Sequence, residues 1–314
     1  MKKQICLTRQ TDILARRRNL QMEHVKTGAV LLILLLVIVA AAVEIYRETH
    51  QFRVTRYDVT SKKLSGIARK LHILFLSDLH NCVYGKENDS LIQSIRDEKP
   101  DLILIGGDML VGKEGASCDQ VREFTEKLPG ICPVIYVNGN HEQRLKESTE
   151  IYGNTYADYK CSLEKSGVHF LENESIRVEL GDRNLVICGL ELPVSSYRKF
   201  SKEPVSSSDI TECFGFPASE SDYTILLAHN PAYMDAYLAW GADLILSGHL
   251  HGGLVRVPGL GGIITPQGFL FPKYSGEMTR EGDQTVIVSR GLGTHTLNIR
   301  LFNIPELISI RLGE

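Results

Sequence analysis

Five short stretches of this chain run out of an apolar segment onto side chains that could hold a metal ion or meet a phosphate. SDLH ends on Asp78 and His80, GGD on Asp108, NGNHE on Asn140, His141 and Glu142, LLAHN on His229, and SGHLHGG on His249 and His251. Carboxylate, amide-oxygen and imidazole donors in this mixture suit Mn, Fe or Zn better than a thiolate site would. Asp78, Asp108, Asn140 and the five histidines are more donors than one tetrahedral zinc with an open position uses. They suit two divalent ions sharing one carboxylate. Two such ions bring four positive charges; the aspartates cancel two and a bridging hydroxide a third. A surplus of about one remains, which neutral Asn140 leaves in place, so the site should attract phosphate oxygens. Ions roughly 3.5–4 Å apart can hold a nucleophilic hydroxide and clamp both ends of an in-line displacement.

Each stretch alone has an ordinary explanation. An Asp after a strand usually caps a turn, a lone strand-end histidine such as His229 is usually a satisfied polar residue, and His249-x-His251 is ambiguous. Five strand ends with donors are harder to explain by turns. Glycine accompanies three of them, at Gly106-Gly107, at Gly139, and at Gly248 with Gly252-Gly253, where the backbone can turn sharply beside an ion or substrate.

The elements that must position these residues follow from periodicity. HILFLSD (72–78), DLILIGGD (101–108) and CPVIYVNGN (132–140) read as strands. Helical spacing lies between them at 87–98 and 119–128, and 142–165 reads as mostly helical with a break at Gly153. Alternating strands and helices predict parallel pairing through crossovers. Continuously apolar strands fit a sheet covered on both faces, and the carboxyl ends of such strands line the ligand crevice. The second half reads as short strands: HFLENESIRVEL, NLVICGLELP, YTILLAHN, ADLILSGH, QTVIVSRG and ELISIRL, with helices near 207–213 and 232–238. FRVTRYDVTS alternates like an edge strand. A Gly/Pro-rich run between Gly252 and Gly282 has little periodicity. The expected architecture is two sheets face to face with helices outside.

A formal net charge of −3, with 43% apolar and 23% charged residues, excludes disorder and a basic nucleic-acid-binding excess. The N-terminus differs. Lys2, Lys3, Arg9, Arg16, Arg17, Arg18 and Lys26 precede the uncharged run GAVLLILLLVIVAAAV, Gly28 to Val43. With its flanks this run is long enough for a bilayer core, and the basic side should stay cytoplasmic. We read it as an uncleaved anchor in preference to a cleaved signal peptide, for which Ala40-Ala41-Ala42 would be the cleavage site, or a buried core helix. The organisation is then a basic cytoplasmic segment 1–26, an anchor 27–46, a connector with an edge strand 47–70, and a catalytic domain 71–314 outside the cytoplasm. The seven cysteines form no close-spaced pair and are expected to be free thiols.

In this order, the blocks Asp78-Leu-His80, Gly107-Asp108, Gly139-Asn140-His141-Glu142, His229 and Gly248-His249-Leu-His251 resemble the calcineurin-like metallophosphoesterase superfamily. The tail segments GHLHGGLVRVPG, GFLFPKYSGE and SRGLGT resemble a bacterial, membrane-associated branch. Its relatives include hydrolases of lipid-linked nucleotide pyrophosphates and general phosphodiesterases. The resemblance implies an α/β fold, a two-sheet α/β/β/α sandwich, here preceded by a transmembrane helix. It implies one ion held by Asp78, His80, Asp108 and His251, and another by Asp108, Asn140, His229 and His249. His141 is left as a non-ligand that protonates the leaving oxygen or stabilises phosphate charge, tuned by Glu142 and the nearby cations. GDMLVGK (107–113) lacks the second Asp and the Arg of the superfamily's protein phosphatases, which counts against a phosphoprotein substrate.

The expected function is a membrane-anchored phosphohydrolase using two divalent ions (Mn, Fe or Zn) and a metal-bridging hydroxide. Its substrate would be a phosphorylated small molecule or a lipid- or envelope-linked phosphoester or pyrophosphate. No nucleic acid and no obligate protein partner are expected. The alternative is a non-catalytic, metal-stabilised binding module at the membrane. Lys273, Tyr274 and Arg290 are candidate phosphate contacts, and each also reads as an ordinary loop or packing residue. Asn81 could meet phosphate or cap the turn.

Overall fold

The computed structural model describes residues 2–314 except 181–182, 201–202, 218–221, 254–255, 258–260, 266–267, 269 and 295–298, with side chains from Arg18 onward save Asn19. Two compact units are present, Met1–Arg47 and Glu48–Glu314. One helix runs unbroken from Lys2 to His50. No proline interrupts this stretch, so the basic segment and the apolar run form one element. Its portion Leu20–His50 is long and apolar enough to cross a bilayer, and its leucines, isoleucines and valines from Leu20 to Val43 are exposed.

The second unit contains two six-stranded sheets. The first has the order Arg53–Thr60, Glu306–Gly313, Leu71–Leu76, Leu102–Ile105, Val134–Tyr136, Val168–Phe170. Its last four strands are parallel, and Glu306–Gly313 runs antiparallel to Leu71–Leu76. The FRVTRYDVTS stretch does supply an edge strand, pairing in parallel with Glu306–Gly313. The second sheet has the order Met278–Glu281, Gln284–Val288, Leu244–Ser247, Asp222–Ala228, Arg183–Leu190, Glu174–Leu180. Its four inner strands are parallel and its two outer strands antiparallel to their neighbours.

The period of two along each strand sorts the core into layers. Ile73, Phe75, Leu104 and Val137 of the first sheet meet Leu185, Ile187, Ile225, Leu227 and Leu246 of the second in one buried cluster. The alternate residues Leu74, Leu76, Ile103 and Ile105 face outward onto Leu91, Ile95, Phe124 and Tyr159 of the helices. On the other side Leu226, Ala228, Ile245 and Val288 face Ile210, Met234, Tyr237 and Trp240. This is the expected α/β/β/α sandwich. Continuous apolar strands were needed because both faces of each are covered.

Three local readings change. The 142–165 helical stretch becomes three helices, Asn140–Glu147, Thr149–Tyr152 and Thr155–Ser166, broken at Ser148 as well as at Gly153. HFLENESIRVEL is not one strand: Val168–Phe170 joins the first sheet and Glu174–Leu180 the second. The chain switches sheets at a turn where Asn173 is left-handed, φ 57°, a conformation asparagine tolerates. The Gly/Pro-rich run contains a small hairpin, Arg256–Val257 with Gly261–Gly262, and an Ile264–Leu270 bridge. Leu254, Val255, Pro258 and Gly259 of the GHLHGGLVRVPG stretch, and Phe269 of GFLFPKYSGE, lie outside the described residues. Among the described residues, Cys82, Cys118, Cys132, Cys161, Cys188 and Cys213 are free thiols.

Candidate metal centre

Strand register places the donors. Leu76 pairs with Ile105, and Ile105 with Tyr136. Past these ends the pairing continues into the turns: Gly106 N donates to Leu76 O at 2.8 Å, and Asp78 N to Gly107 O at 2.9 Å. Asp78, Asp108 and Asn140 thus emerge side by side. In the second sheet Gly248 N donates to His229 O at 3.0 Å, which sets His229 beside His249.

Five of these residues occupy the left-handed region: Asp78, His80, Asp108, His249 and His251, with φ between 47° and 66°. Side chains other than glycine enter it at a cost and are held there by their surroundings. The Asp78 carboxylate accepts from Ser77 Oγ at 2.5 Å and from His249 N at 2.9 Å, tying the two sheets together. Asp108 is held by Glu142, whose carboxylate accepts from the amides of Asp108 (2.8 Å), Met109 (2.9 Å) and Gly139 (3.0 Å) and from Tyr136 Oη (2.8 Å). Glu142 therefore supports the turns that carry Asp108 and Asn140. Burial, with the Asp108 charge nearby, pushes its carboxyl up to about 7.

Glycine is required where these turns touch. A Cβ on Gly107, itself left-handed at φ 90°, would lie 2.2 Å from Gly139 N, and one on Gly248 would lie 2.4 Å from Asp78 Oδ2.

The donors converge from every block. His80 Nε2 is 3.1 Å from His251 Nε2 and 3.7 Å from Asp108 Oδ2. His251 Nε2 is 3.5 Å from Asp78 Oδ1, and His229 Nε2 is 3.2 Å from Asp108 Oδ2 and 3.8 Å from Asp78 Oδ1. Donors about 2.1 Å from a shared ion at tetrahedral angles lie about 3.4 Å from one another, so this spacing suits a coordination sphere. Three groups gather within 4.8 Å: Asp78, His80 and His251; His80, Asp108 and His141; and Asp108, His229 and His249. All are buried. The Asn140 amide oxygen faces Asp108 Oδ2 at 3.2 Å and His249 Nδ1 at 2.8 Å. Turning the amide over would make hydrogen bonds of both contacts, whereas a cation between them would favour the oxygen where it stands.

Backbone contacts also sort the histidine protons. Nδ1 of His229 lies 2.6 Å from Gly106 O, and Nδ1 of His251 3.2 Å from Gly293 O. A carbonyl can only accept, so Nδ1 carries a proton and Nε2 faces the carboxylates, as a ligand nitrogen should. His141 is the reverse. Its Nδ1 accepts from Gly112 N at 2.8 Å, which puts the ring proton on Nε2. Burial pushes the Asp78 carboxyl up to about 6. Burial opposes ionisation of Asp108 too, but the imidazoles of His229, His141 and His80 outweigh it and hold that carboxyl well below its usual range. Burial likewise disfavours charge on His229, yet Asp108 lifts it to about 9. Lone pairs and carboxylates crowded this closely call for a positive charge among them.

The candidate phosphate contacts also have partners within the chain. Lys273 Nζ and Tyr274 Oη both bond Glu281, at 2.8 and 2.9 Å. Arg290 Nε donates to Gly276 O at 2.9 Å, and Asn81 Nδ2 to Ser117 O at 2.8 Å. Tyr197, which no motif singles out, lies against the centre, its ring 5.0 Å from that of His249. Arg300 and Asn303 are a second omission. Buried Arg300 donates to Asn303 O at 3.1 Å and to the carbonyls of Arg290 and Gly293, the latter being the contact of His251 Nδ1. Asn303 Nδ2 donates to His251 O at 2.6 Å. Both residues lie in IRLFNIP, which carries no motif or glycine that would have marked them in the sequence.

Comparison with known proteins agrees with this geometry. Residues 71–253 match the calcineurin-like phosphoesterase family. The metallophosphoesterase YkoQ of Bacillus subtilis is 26% identical over 83% of this chain and 90% of its own length. The phosphodiesterase YaeI of Escherichia coli is 27% identical over 85% and 90% respectively. Among solved structures, the phosphopantetheinyl hydrolase PptH of Mycobacterium tuberculosis aligns with a TM-score of 0.43 at 16% identity, over 71% of this chain and 89% of that one. With its family match spanning more than half its length and its carboxylates and imidazoles gathered at the strand ends, this chain belongs to the calcineurin-like phosphoesterases and is a metal-dependent phosphohydrolase.

Proposed function

We propose that the protein is a membrane-anchored phosphodiesterase or pyrophosphatase with a two-ion centre. Asp78, His80, Asp108 and His251 would hold one divalent ion, and Asp108, Asn140, His229 and His249 the other. When bound, the ions supply Lewis acidity and a water made nucleophilic at neutral pH. The observation that carries this reading is the opposed setting of the rings: Nδ1 of His229 and of His251 faces a backbone carbonyl, whereas Nδ1 of His141 accepts from Gly112 N. The first two suit ligation; the third suits donation to a departing alkoxide or phosphate oxygen. Asp78 and Glu142 hold the two halves of the donor set at fixed separation, so the site is organised before substrate arrives.

The helix Leu20–His50 supports a single-pass anchor with the basic N-terminal side cytoplasmic. The segments 1–26, 27–46, 47–70 and 71–314 would then be cytoplasmic tail, span, connector and catalytic domain, with the active site outside the cytoplasm. A substrate carried by a lipid or the cell envelope fits that placement. Mn, Fe and Zn all suit the donors.

Two measurements test the reading. Detergent-solubilised full-length protein should hydrolyse bis-p-nitrophenyl phosphate, lose activity in EDTA and recover it with Mn²⁺. Full metal occupancy without turnover of any phosphodiester, pyrophosphate or monoester would instead indicate a binding module. For topology, an impermeant maleimide added to intact spheroplasts should label exposed Cys161; labelling only after lysis would reverse the orientation.

A further inference from the structure

We propose that the lip of the active site beds in the headgroup layer of the bilayer crossed by the chain's own apolar helix. The surface is made by Phe200, Leu270, Phe271 and Phe302. The inference rests on the anchor reading above and adds to it a surface through which the domain meets lipid.

These four side chains are 79%, 63%, 62% and 57% exposed. Large apolar side chains are rarely left in water as a group, and contiguous apolar surface marks an interaction site. Their segments touch one after another. A Cβ on Gly268 would lie 2.3 Å from the Phe200 ring, so that ring rests on the turn before Leu270. Ile264 bridges Leu270, and Phe271 N donates to Ile263 O at 2.9 Å. Ile263 and Ile264 in turn flank Gly253, two residues after His251. Arg256 N donates to Leu301 O at 3.2 Å, which brings in Phe302. The apolar lip is therefore continuous with the loop that carries a proposed metal ligand.

Its occupant follows from the length of chain between span and domain. Phe302 precedes Asn303, whose N–H donates to the buried Glu48 carboxylate at 2.9 and 3.0 Å. Glu48 is five residues past Val43, the end of the uncharged run. Five residues reach roughly 18 Å even fully extended, and rise only about 7.5 Å as helix. The polar layer of a bilayer is about 5–8 Å deep on each side. Along the unbroken helix the rise of about 7.5 Å puts Glu48 at the depth of that layer, and Phe302 is tethered to it through Asn303. Composition agrees. Arg198 and Lys199 precede Phe200. Aromatic rings beside basic side chains suit an interface with anionic headgroups.

The test uses the full chain, one copy per lipid nanodisc, carrying Phe271→Trp or Phe302→Trp. Trp240, the single native tryptophan, is buried under its helix and provides a constant background. In discs made with lipids brominated on the acyl chains, the added emission should be lost. Unquenched emission overturns the proposal, as does a probe at position 271 that is shielded only when two copies share a disc, which would indicate self-association. A second variant, Phe200→Ser with Phe271→Ser, should lower turnover of a disc-embedded phosphodiester several-fold and leave water-soluble bis-p-nitrophenyl phosphate unaffected. Equal loss on both substrates overturns it. Unquenched tryptophan with intact metal-dependent hydrolysis refutes the lipid-facing lip alone. Quenched tryptophan without hydrolysis of either substrate refutes the enzyme reading and supports the lip.

Discussion

The amide of Gly112 donates to Nδ1 of His141 at 2.8 Å. That bond leaves the ring proton on Nε2, the edge turned towards His80 and Asp108, while His229 and His251 are held in the opposite sense. His141→Ala should therefore lower kcat by about 10²–10⁴-fold, the usual worth of a positioned proton donor. Metal content measured by mass spectrometry should be unchanged. The loss should be larger for an alkyl leaving group than for p-nitrophenol, which departs without help. A parallel loss of metal and activity would assign His141 to the ligand set.

Asp108 Oδ2 lies between His80 Nε2 and His229 Nε2, at 3.7 and 3.2 Å. In the proposed centre it alone serves both ions. Asp108→Ala should abolish binding of both, whereas His80→Ala should spare the ion held by Asn140, His229 and His249. Metal stoichiometry after gel filtration distinguishes the two. Equal depletion in both variants would argue against separate ligand sets.

Glu142 makes its hydrogen bonds to the amides of Asp108, Met109 and Gly139 while fully buried. In Glu142→Gln an amide group replaces one acceptor oxygen and turns a donor towards donors. The expected cost is about 1–3 kcal/mol of stability, that of leaving a buried polar group unsatisfied, read as a lower urea midpoint with an unchanged slope. Metal affinity should fall with it, since the Asp108 turn loses its support.

Away from the metal centre, Glu172 provides a pH signature. Burial pushes its carboxyl up, but hydrogen bonds from Lys160, Tyr156 and Lys146 outweigh this and hold it down to about 2. The folded value lies below the unfolded value of about 4.5, so the contribution is present above pH 4.5 and is lost as pH falls towards 2. Glu172→Gln should remove that part of the acid sensitivity, visible as a flatter dependence of the urea midpoint on pH. An identical slope in wild type and variant would show the cluster to be thermodynamically silent.

The order of donor types along the chain, and their position after apolar runs of four to six residues, determined the chemistry of the site. A strand's period of two and a helix's of 3.6 can be read locally, so the sandwich and the crevice at its strand ends followed from spacing. The same local reading made one strand of HFLENESIRVEL, because nothing in composition tells a chain to change sheets at Glu172-Asn173. What only the tertiary structure decided are relations between residues far apart in sequence. The Gly112 and Gly106 backbone groups set the orientation of the His141 and His229 rings, Glu142 supports the Asp108 turn, and Arg300 and Asn303 clamp the His251 loop. Lys273 and Tyr274, candidate phosphate contacts in the sequence, both bond Glu281. A hydrogen bond is fixed by distance and direction in space, and these partners have no period or spacing that the chain could display before it folds.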